Sequence, residues 1–287
     1  MTYEFVQLDV FTTGPFTGNP VAVFFDAKTL SAEQMQTIAS EMNLSETTFV
    51  REVTEDSYSV RIFTPTSELP FAGHPTIGAA YALSATGRVS STKLVQHSKA
   101  GETPVEADGD RWFLTRPGTV DDDLEDRRPD APAELARALG IAVEDLGLEA
   151  RELGRSGRLR PAVANSAFEQ LLVPVRDVDV LARCRPRPGF DEIDRTGAYC
   201  FTATRAGRVQ ARGFWPGLGI AEDPATGSAA AGLGLYLADR LGPIDFEIDQ
   251  GVEMKRPSHL LVDGSEGTVR IGGRCEPIFS SKLEQLP

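Results

Sequence analysis

A short pattern occurs twice in this chain, and whatever fold it adopts has to accommodate both copies. Ala72-Gly73-His74-Pro75-Thr76-Ile77-Gly78-Ala79-Ala80 returns in altered form as Glu222-Asp223-Pro224-Ala225-Thr226-Gly227-Ser228-Ala229-Ala230. Each copy has a polar side chain, then Pro, then Gly three residues later, then small residues that start an apolar helix. Setting His74 on Asp223 gives an offset of 149 residues and places Pro75 on Pro224 and Gly78 on Gly227. Upstream, Arg61-Ile62-Phe63-Thr64-Pro65 parallels Arg212-Gly213-Phe214-Trp215-Pro216 at an offset of 151. Self-similarity of this kind argues for duplication. The two offsets together predict a loop two residues shorter in the second copy. The expected arrangement is two similar halves, with two helix N-termini facing each other across a cleft.

The local patterns fit an α+β chain. Tyr3 to Thr12 alternates like a strand, and Val21 to Phe25 is an apolar strand. Ser31 and Gln34 have capping-box spacing, and Met35, Ile38, Ala39 and Met42 follow as the buried stripe of a helix ending near Asn43. Gly73 to Pro75 reads as a loop and Thr76 to Thr86 as a helix; the second copy of that helix runs from Thr226 to Arg240. Residues 116–132 are charged, rich in Pro and nearly free of large apolar side chains, which makes them the best domain boundary. The expected division is an N-terminal lobe of 1–118, to which the last strand returns, and a C-terminal lobe of 119–287. The acidic run Asp121 to Asp123 reads as a solvated connector.

Several classes of function are disfavoured. A formal charge of −13 is a poor match for nucleic acid, which demands clustered Lys and Arg. Cys184, Cys200 and Cys275 are an odd number and widely spaced, against a disulfide framework or a CxxC metal site. No apolar run approaches the ~20 residues that span a bilayer, and the N-terminus already alternates as a strand. A cytoplasmic protein is expected. No His pair at i, i+4, no P-loop, no Gly-x-Ser-x-Gly elbow and no complete Gly-x-Gly-x-x-Gly occurs, so neither a metal nor another cofactor is expected.

Some residues can carry chemistry. A helix N-terminus exposes unpaired N–H groups that suit a carboxylate or phosphate; the bland alternative is that Gly78 and Gly227 only allow tight packing. His74 precedes the first such helix and can exchange protons near neutrality, although a lone His is more often structural. Asp223 is either the N-cap of the second helix or a proton-transfer group. Glu46 stands between a helix and a strand in Asn43-Leu44-Ser45-Glu46-Thr47; such a carboxyl is often merely solvated, but one enclosed in a cleft can move protons.

Taken together, five ordered stretches resemble the PhzF family of phenazine biosynthesis, whose fold is shared with diaminopimelate epimerase. They are Asp9-Val10-Phe11-Thr12 with Gly18-Asn19-Pro20-Val21, Asn43 to Thr47, Arg61 to Pro65, Phe71 to Thr76, and Glu222 to Ala229; Gln250-Gly251 with Arg256-Pro257-Ser258 also fits. The resemblance implies two lobes, each a barrel-like sheet around a central helix, and a homodimer. It implies that Glu46 is the acid/base of a proton shift within a dihydro-hydroxyanthranilate, whose enol product then tautomerises to a ketone. His74, Asp223 and Ser45 match pocket residues, and Gly73, Gly227 and Ser228 match positions that hold the substrate carboxylate. The epimerase cousins use two thiols; residues 70–80 and 220–230 contain no cysteine, so a two-thiol racemase is excluded. The leading expectation is an isomerase acting on a small carboxylate. The alternatives are a binding protein without turnover, and a hydrolase or lyase using the same cleft.

Overall fold

The computed structural model describes residues 2–127, 130–190 and 197–287. The chain divides into two compact units, Met1–Thr115 with Gly272–Pro287, and Arg116–Ile271. The first contains β1 (Tyr3–Val10), β2 (Asn19–Phe24), α1 (Ala32–Met42), β3 (Glu46–Val53), β4 (Ser57–Phe63), β5 (Glu68–Leu69), α2 (Gly73–Ala85), β6 (Lys93–Ser98), β7 (Gly101–Asp108) and β8 (Arg111–Pro117), whose last residues lead into the second unit. The second contains β9 (Thr119–Asp123), α3 (Leu124–Arg127), α4 (Ala131–Leu139), the ribbon of β10 (Leu148–Glu149) and β11 (Arg158–Leu159), β12 (Ala162–Asn165), β13 (Glu169–Pro174), α5 (Val178–Arg183), β14 (Ala198–Arg205), β15 (Arg208–Trp215), β16 (Ile220–Asp223), α6 (Gly227–Leu241), β17 (Ile244–Gln250) and β18 (Ser258–Ser265). The last strand, β19 (Thr268–Leu283), carries the chain back into the first unit.

In the first unit the pairings β1–β2–β3–β4–β6–β7–β8–β19–β1 close a barrel of eight strands. Helix α2 touches β1, β2, β3, β6 and β7. From Gly73 to Leu83 it is buried on nearly every face, the expected state of a helix whose apolar residues run all round. Helix α1 lies against the sheet through Met35, Ile38 and Ala39, over the ring series Phe24–Phe49–Phe63. Its capping box forms as the sequence predicts, with Ser31 accepting from the Gln34 amide and the Gln34 side chain accepting from the Ser31 amide. The second unit repeats the scheme. β13 pairs parallel to β14, β14 antiparallel to β15, β15 parallel to β17 and β17 antiparallel to β18, as do β2, β3, β4, β6 and β7 in the first. Helix α6 is the buried counterpart of α2. The chain therefore has the expected α+β architecture, two units of one topology, each a barrel-like sheet around a central helix.

The register of the repeat differs from the one read off the sequence. The block at Arg61 and Arg212 holds, because Ile62 pairs with Leu69 and Gly213 with Asp223. That pairing makes Leu69, not His74, the counterpart of Asp223, at an offset of 154. Helix α2 begins at Gly73 and α6 at Gly227, again 154 apart, so His74 corresponds to Ser228 and Gly78 to Gly232. The loop after β15 is longer by three residues rather than shorter by two, and the 3-10 turn Pro216–Leu218 lies in it. Gly73 to Pro75 are not a loop but the first turn of α2, where the N–H that Pro75 lacks has no intrahelical acceptor to lose. The connector is also corrected: Thr119 to Asp123 is a strand paired with β12, and Arg240 donates to the Asp121 carbonyl and the Asp123 carboxylate.

The corrected register yields a paired prediction. A methyl group added at Gly78 would meet Val21 Cγ1 at 2.8 Å and Val10 Cγ2 at 3.1 Å, whereas one at Gly232 would find its nearest neighbour, Gln170 Cβ, at 3.4 Å. Gly78→Ala is expected to destabilise by about 1–3 kcal/mol through overpacking. Gly232→Ala should stabilise by up to about 1 kcal/mol through helix propensity. Urea midpoints of the two variants check the opposite signs.

Candidate active site

Glu46 and His74 are brought together in the first unit. Asn43 closes α1 in the left-handed conformation, φ 51°, which turns the chain so that β3 starts at Glu46 beside Val21 of β2. His74 is the second residue of α2 and is buried. Its Nε2 lies 3.4 Å from Glu46 Oε2, and the two side chains are 5% and 12% exposed. Burial pushes the His74 pKa down to about 3, against the opposing pull of a hydrogen bond to the backbone of Pro20. Pro20 has no N–H, so its carbonyl accepts and the ring donates. Since Nε2 faces Glu46, Nδ1 is the donating nitrogen. The imidazole is therefore neutral near pH 7 and turns a lone pair toward a carboxyl oxygen; the contact is not an ion pair. Ser45, next in the chain, donates its hydroxyl to Asn19 Oδ1 at 3.0 Å. Asn19 is buried at the start of β2. Gly73 opens α2, which has no side-chain cap, so the N–H groups of its first turn are left to a ligand or solvent.

The His74 shift carries a sign. A folded pKa near 3 lies below the ordinary value of 6.5, so the unfolded chain binds more protons between those values. The stability that neutral His74 contributes is complete above about pH 6.5 and is lost as pH falls toward 3. His74→Asn should flatten this dependence, retaining on the order of 2 kcal/mol more of its neutral-pH stability at pH 4.5 than the parent does. Urea melts of both proteins at pH 7.5 and 4.5 test it.

In the second unit Asp223, Gly227 and Ser228 stand at the entry to α6. Asp223 is the last residue of β16 and is buried. It is not the N-cap; Thr226 is. The Thr226 hydroxyl donates to Asp223 Oδ2 at 2.5 Å. Gly227 and Ser228 are the first two helical residues, and the Ser228 carbonyl accepts from Ser166 Oγ at 3.5 Å. The sequence reading missed Asn19 and Pro20 as supports, and it missed Thr226, Tyr199 and Gln250, which form one hydrogen-bonded group with Asp223. The Gln250-Gly251 pair of the family pattern was the available signal.

Among the described residues no group of three or more His, Cys, Asp or Glu is arranged to hold a metal ion, and no helix is long and apolar enough to cross a membrane. A hollow of the first unit lined by Asp56, Lys93, His97 and Glu106 contains none of the candidate residues. The paired carboxyl and neutral imidazole are the part of the first unit best suited to accept and return a proton.

Comparison with known proteins gives the same direction. A family model described as phenazine biosynthesis-like protein, PhzC-PhzF, matches residues 8–280. The chain is 39% identical over 280 residues to trans-2,3-dihydro-3-hydroxyanthranilate isomerase of Pseudomonas chlororaphis, covering 92% of this chain and 91% of that protein. It is 36% identical over 288 residues to an uncharacterized isomerase of Pasteurella multocida, covering 98% and 94%. Among solved structures, a PhzF-family protein of Bacillus anthracis superposes with a TM-score of 0.83 at 24% identity over 99% of this chain and all of the other. A hydroxyproline epimerase from Agrobacterium vitis shares the fold at a TM-score of 0.64 and 13% identity, covering 98% and 92%.

Proposed function

This chain belongs to the phenazine biosynthesis-like PhzC-PhzF family and is an isomerase of that family, and we propose that it works by a proton shift in which Glu46 is the acid/base. The observation that carries the reading is the 3.4 Å approach of Glu46 Oε2 to His74 Nε2 in a buried setting. Two acceptor atoms at that distance attract only through a shared proton. Neutral His74, with its Nδ1 proton given to Pro20, turns its Nε2 lone pair toward the ionised Glu46 carboxylate, ready to hold the proton that the carboxylate accepts. Glu46 can then take a proton from one substrate carbon and return it to another. The proton taken from one carbon is balanced by one delivered to another from the Glu46 carboxyl, which exchanges with solvent between the two steps, so the reaction has no net need of water, a redox partner or a cofactor.

The substrate proposed is a small cyclic carboxylate, with trans-2,3-dihydro-3-hydroxyanthranilate as the first candidate from the relatives' names. Gly73 at the start of α2, and Gly227 with Ser228 at the start of α6, each offer N–H groups that suit a carboxylate. Ser45 orients through Asn19 beside Glu46, and Asp223 is assigned to the proton inventory of the reaction. A cytoplasmic homodimer is part of the same reading, checked by sedimentation equilibrium.

The test is turnover of that substrate in D2O, followed by proton NMR. The expected result is an isomer of the substrate, one mass unit heavier because it carries deuterium at the receiving carbon. Release of ammonia, water or an acid fragment would assign the chemistry to a different class. Inert substrate would remove this compound as the candidate.

A further inference from the structure

Gln250, the last residue of β17, is fully buried, and its side-chain amide makes four hydrogen bonds. Its Oε1 accepts from the Thr226 backbone N–H at 3.1 Å and from the Tyr199 hydroxyl at 2.9 Å. Its Nε2 donates to the Asp223 carbonyl at 2.8 Å and to Thr226 Oγ1 at 3.1 Å. The backbone partners fix which end is oxygen and which is nitrogen, because an N–H must meet Oε1 and a C=O must meet Nε2. The Tyr199 phenol stays a donor, since burial, and then the Asp223 charge, raise its pKa far above the ordinary value.

The consequence falls on Thr226. Its hydroxyl has one proton, and one of its lone pairs already receives Gln250 Nε2–H. The proton is thus directed to Asp223 Oδ2, 2.5 Å away. We propose that Gln250 is a positioning residue, which acts through the Thr226 hydroxyl to commit Asp223 Oδ2 as an acceptor and to fix the carboxylate at the mouth of α6. The proposal rests on the reading above that Asp223 takes part in the reaction.

The first unit provides a built-in contrast. Gln96 of β6 lies two residues before the position that sheet pairing matches to Gln250, since Tyr58 pairs with Gln96 and its counterpart Val209 with Ile248, and it donates to Thr76 Oγ1 at 2.8 Å. There the hydroxyl passes its proton to the Ala72 carbonyl at 2.8 Å, within the helix. A buried glutamine beside the central helix thus braces that helix in one unit and reaches a carboxylate in the other.

The experiment is a substitution cycle in the full chain. Gln250→Glu keeps the shape and replaces the donor with an acceptor. The Thr226 proton then turns toward residue 250 and leaves Asp223. Gln250→Glu and Thr226→Val are each expected to lower kcat by up to about 100-fold with little change in KM, and Thr226→Ser should restore the loss caused by Thr226→Val. In an Asp223→Asn background the first two changes should cost less than about twofold more. Gln96→Glu, whose chain ends on a backbone carbonyl, should show no such dependence on Asp223. Multiplicative losses in the Asp223→Asn background would overturn the proposal, because they would mean that Gln250 acts on the fold alone. A parent enzyme that turns over no carboxylate would defeat the isomerase reading instead. The relay is then read without activity, from the Gln250 side-chain amide protons in 15N NMR spectra of the ligand-free protein. Asp223→Asn should shift the proton directed at Thr226, and unmoved signals would overturn the relay.

Discussion

Glu46→Gln is expected to lower kcat by roughly 10²–10⁴-fold, the usual worth of a positioned acid/base, and to abolish deuterium incorporation from solvent. KM should move little, because the change removes a group used in the transition state rather than in binding. The substitution is mild for the fold. Glutamine has the shape of glutamate, and its side-chain N–H can donate to His74 Nε2, as the acid form of Glu46 would. The folded protein should therefore unfold at the same denaturant concentration as the parent or a slightly higher one, which separates a chemical loss from a structural one. Normal turnover by this variant would end the proposal. The pH–rate profile adds a further check. His74 is neutral down to about pH 3, so it supplies no limb between pH 5 and 8. A limb in that range that persists in His74→Asn belongs to another group.

The local rules were legible where they depend on neighbours in sequence. The capping box at Ser31 and Gln34 forms, and the helix it opens ends at Asn43 as the pattern predicts. The duplication was also legible, but its register was not. Pro and Gly recur at matching spacing around residues 75 and 224 for different reasons: Pro75 lies within the first turn of α2, while Pro224 precedes α6 by three residues. Residue identity aligned them, and strand pairing separates them. The strand Thr119–Asp123 was hidden because it has no apolar alternation; pairing with β12 and the cation of Arg240 hold it instead. Glu46 and His74 were each legible as candidates. Their approach was legible only through the family resemblance, since physically it depends on the parallel register of β2 and β3 and on α2 starting at Gly73.

Loss of Arg212 is expected to be the most destabilising single change in the second unit, and the repeat supplies its own control. Arg212 is fully buried. It binds Glu222 through two hydrogen bonds of 2.8 Å and donates to the carbonyls of Leu181, Ala182 and Cys184 at the end of α5. Arg61 makes the same two-pronged contact with Glu68 at 2.7 Å, and each guanidinium lies over the Phe two residues on. The difference is water: Arg61 is 21% exposed and Arg212 is not exposed at all. Arg212→Met should therefore cost about 3–5 kcal/mol, because it leaves three carbonyls at the end of α5 unpaired in the interior and removes the guanidinium partner of half-buried Glu222. Arg61→Met should cost on the order of 1 kcal/mol, since Lys99 still pairs with Glu68 and no interior carbonyl of the kind that Arg212 binds is uncovered. Adding Glu222→Leu to Arg212→Met should recover the part due to the unpaired Glu222 but not the part due to the α5 carbonyls, which no apolar side chain can satisfy. Urea unfolding of the three variants reads both components. Equal losses at Arg61 and Arg212 would show that the pair itself, and not its burial, sets the cost.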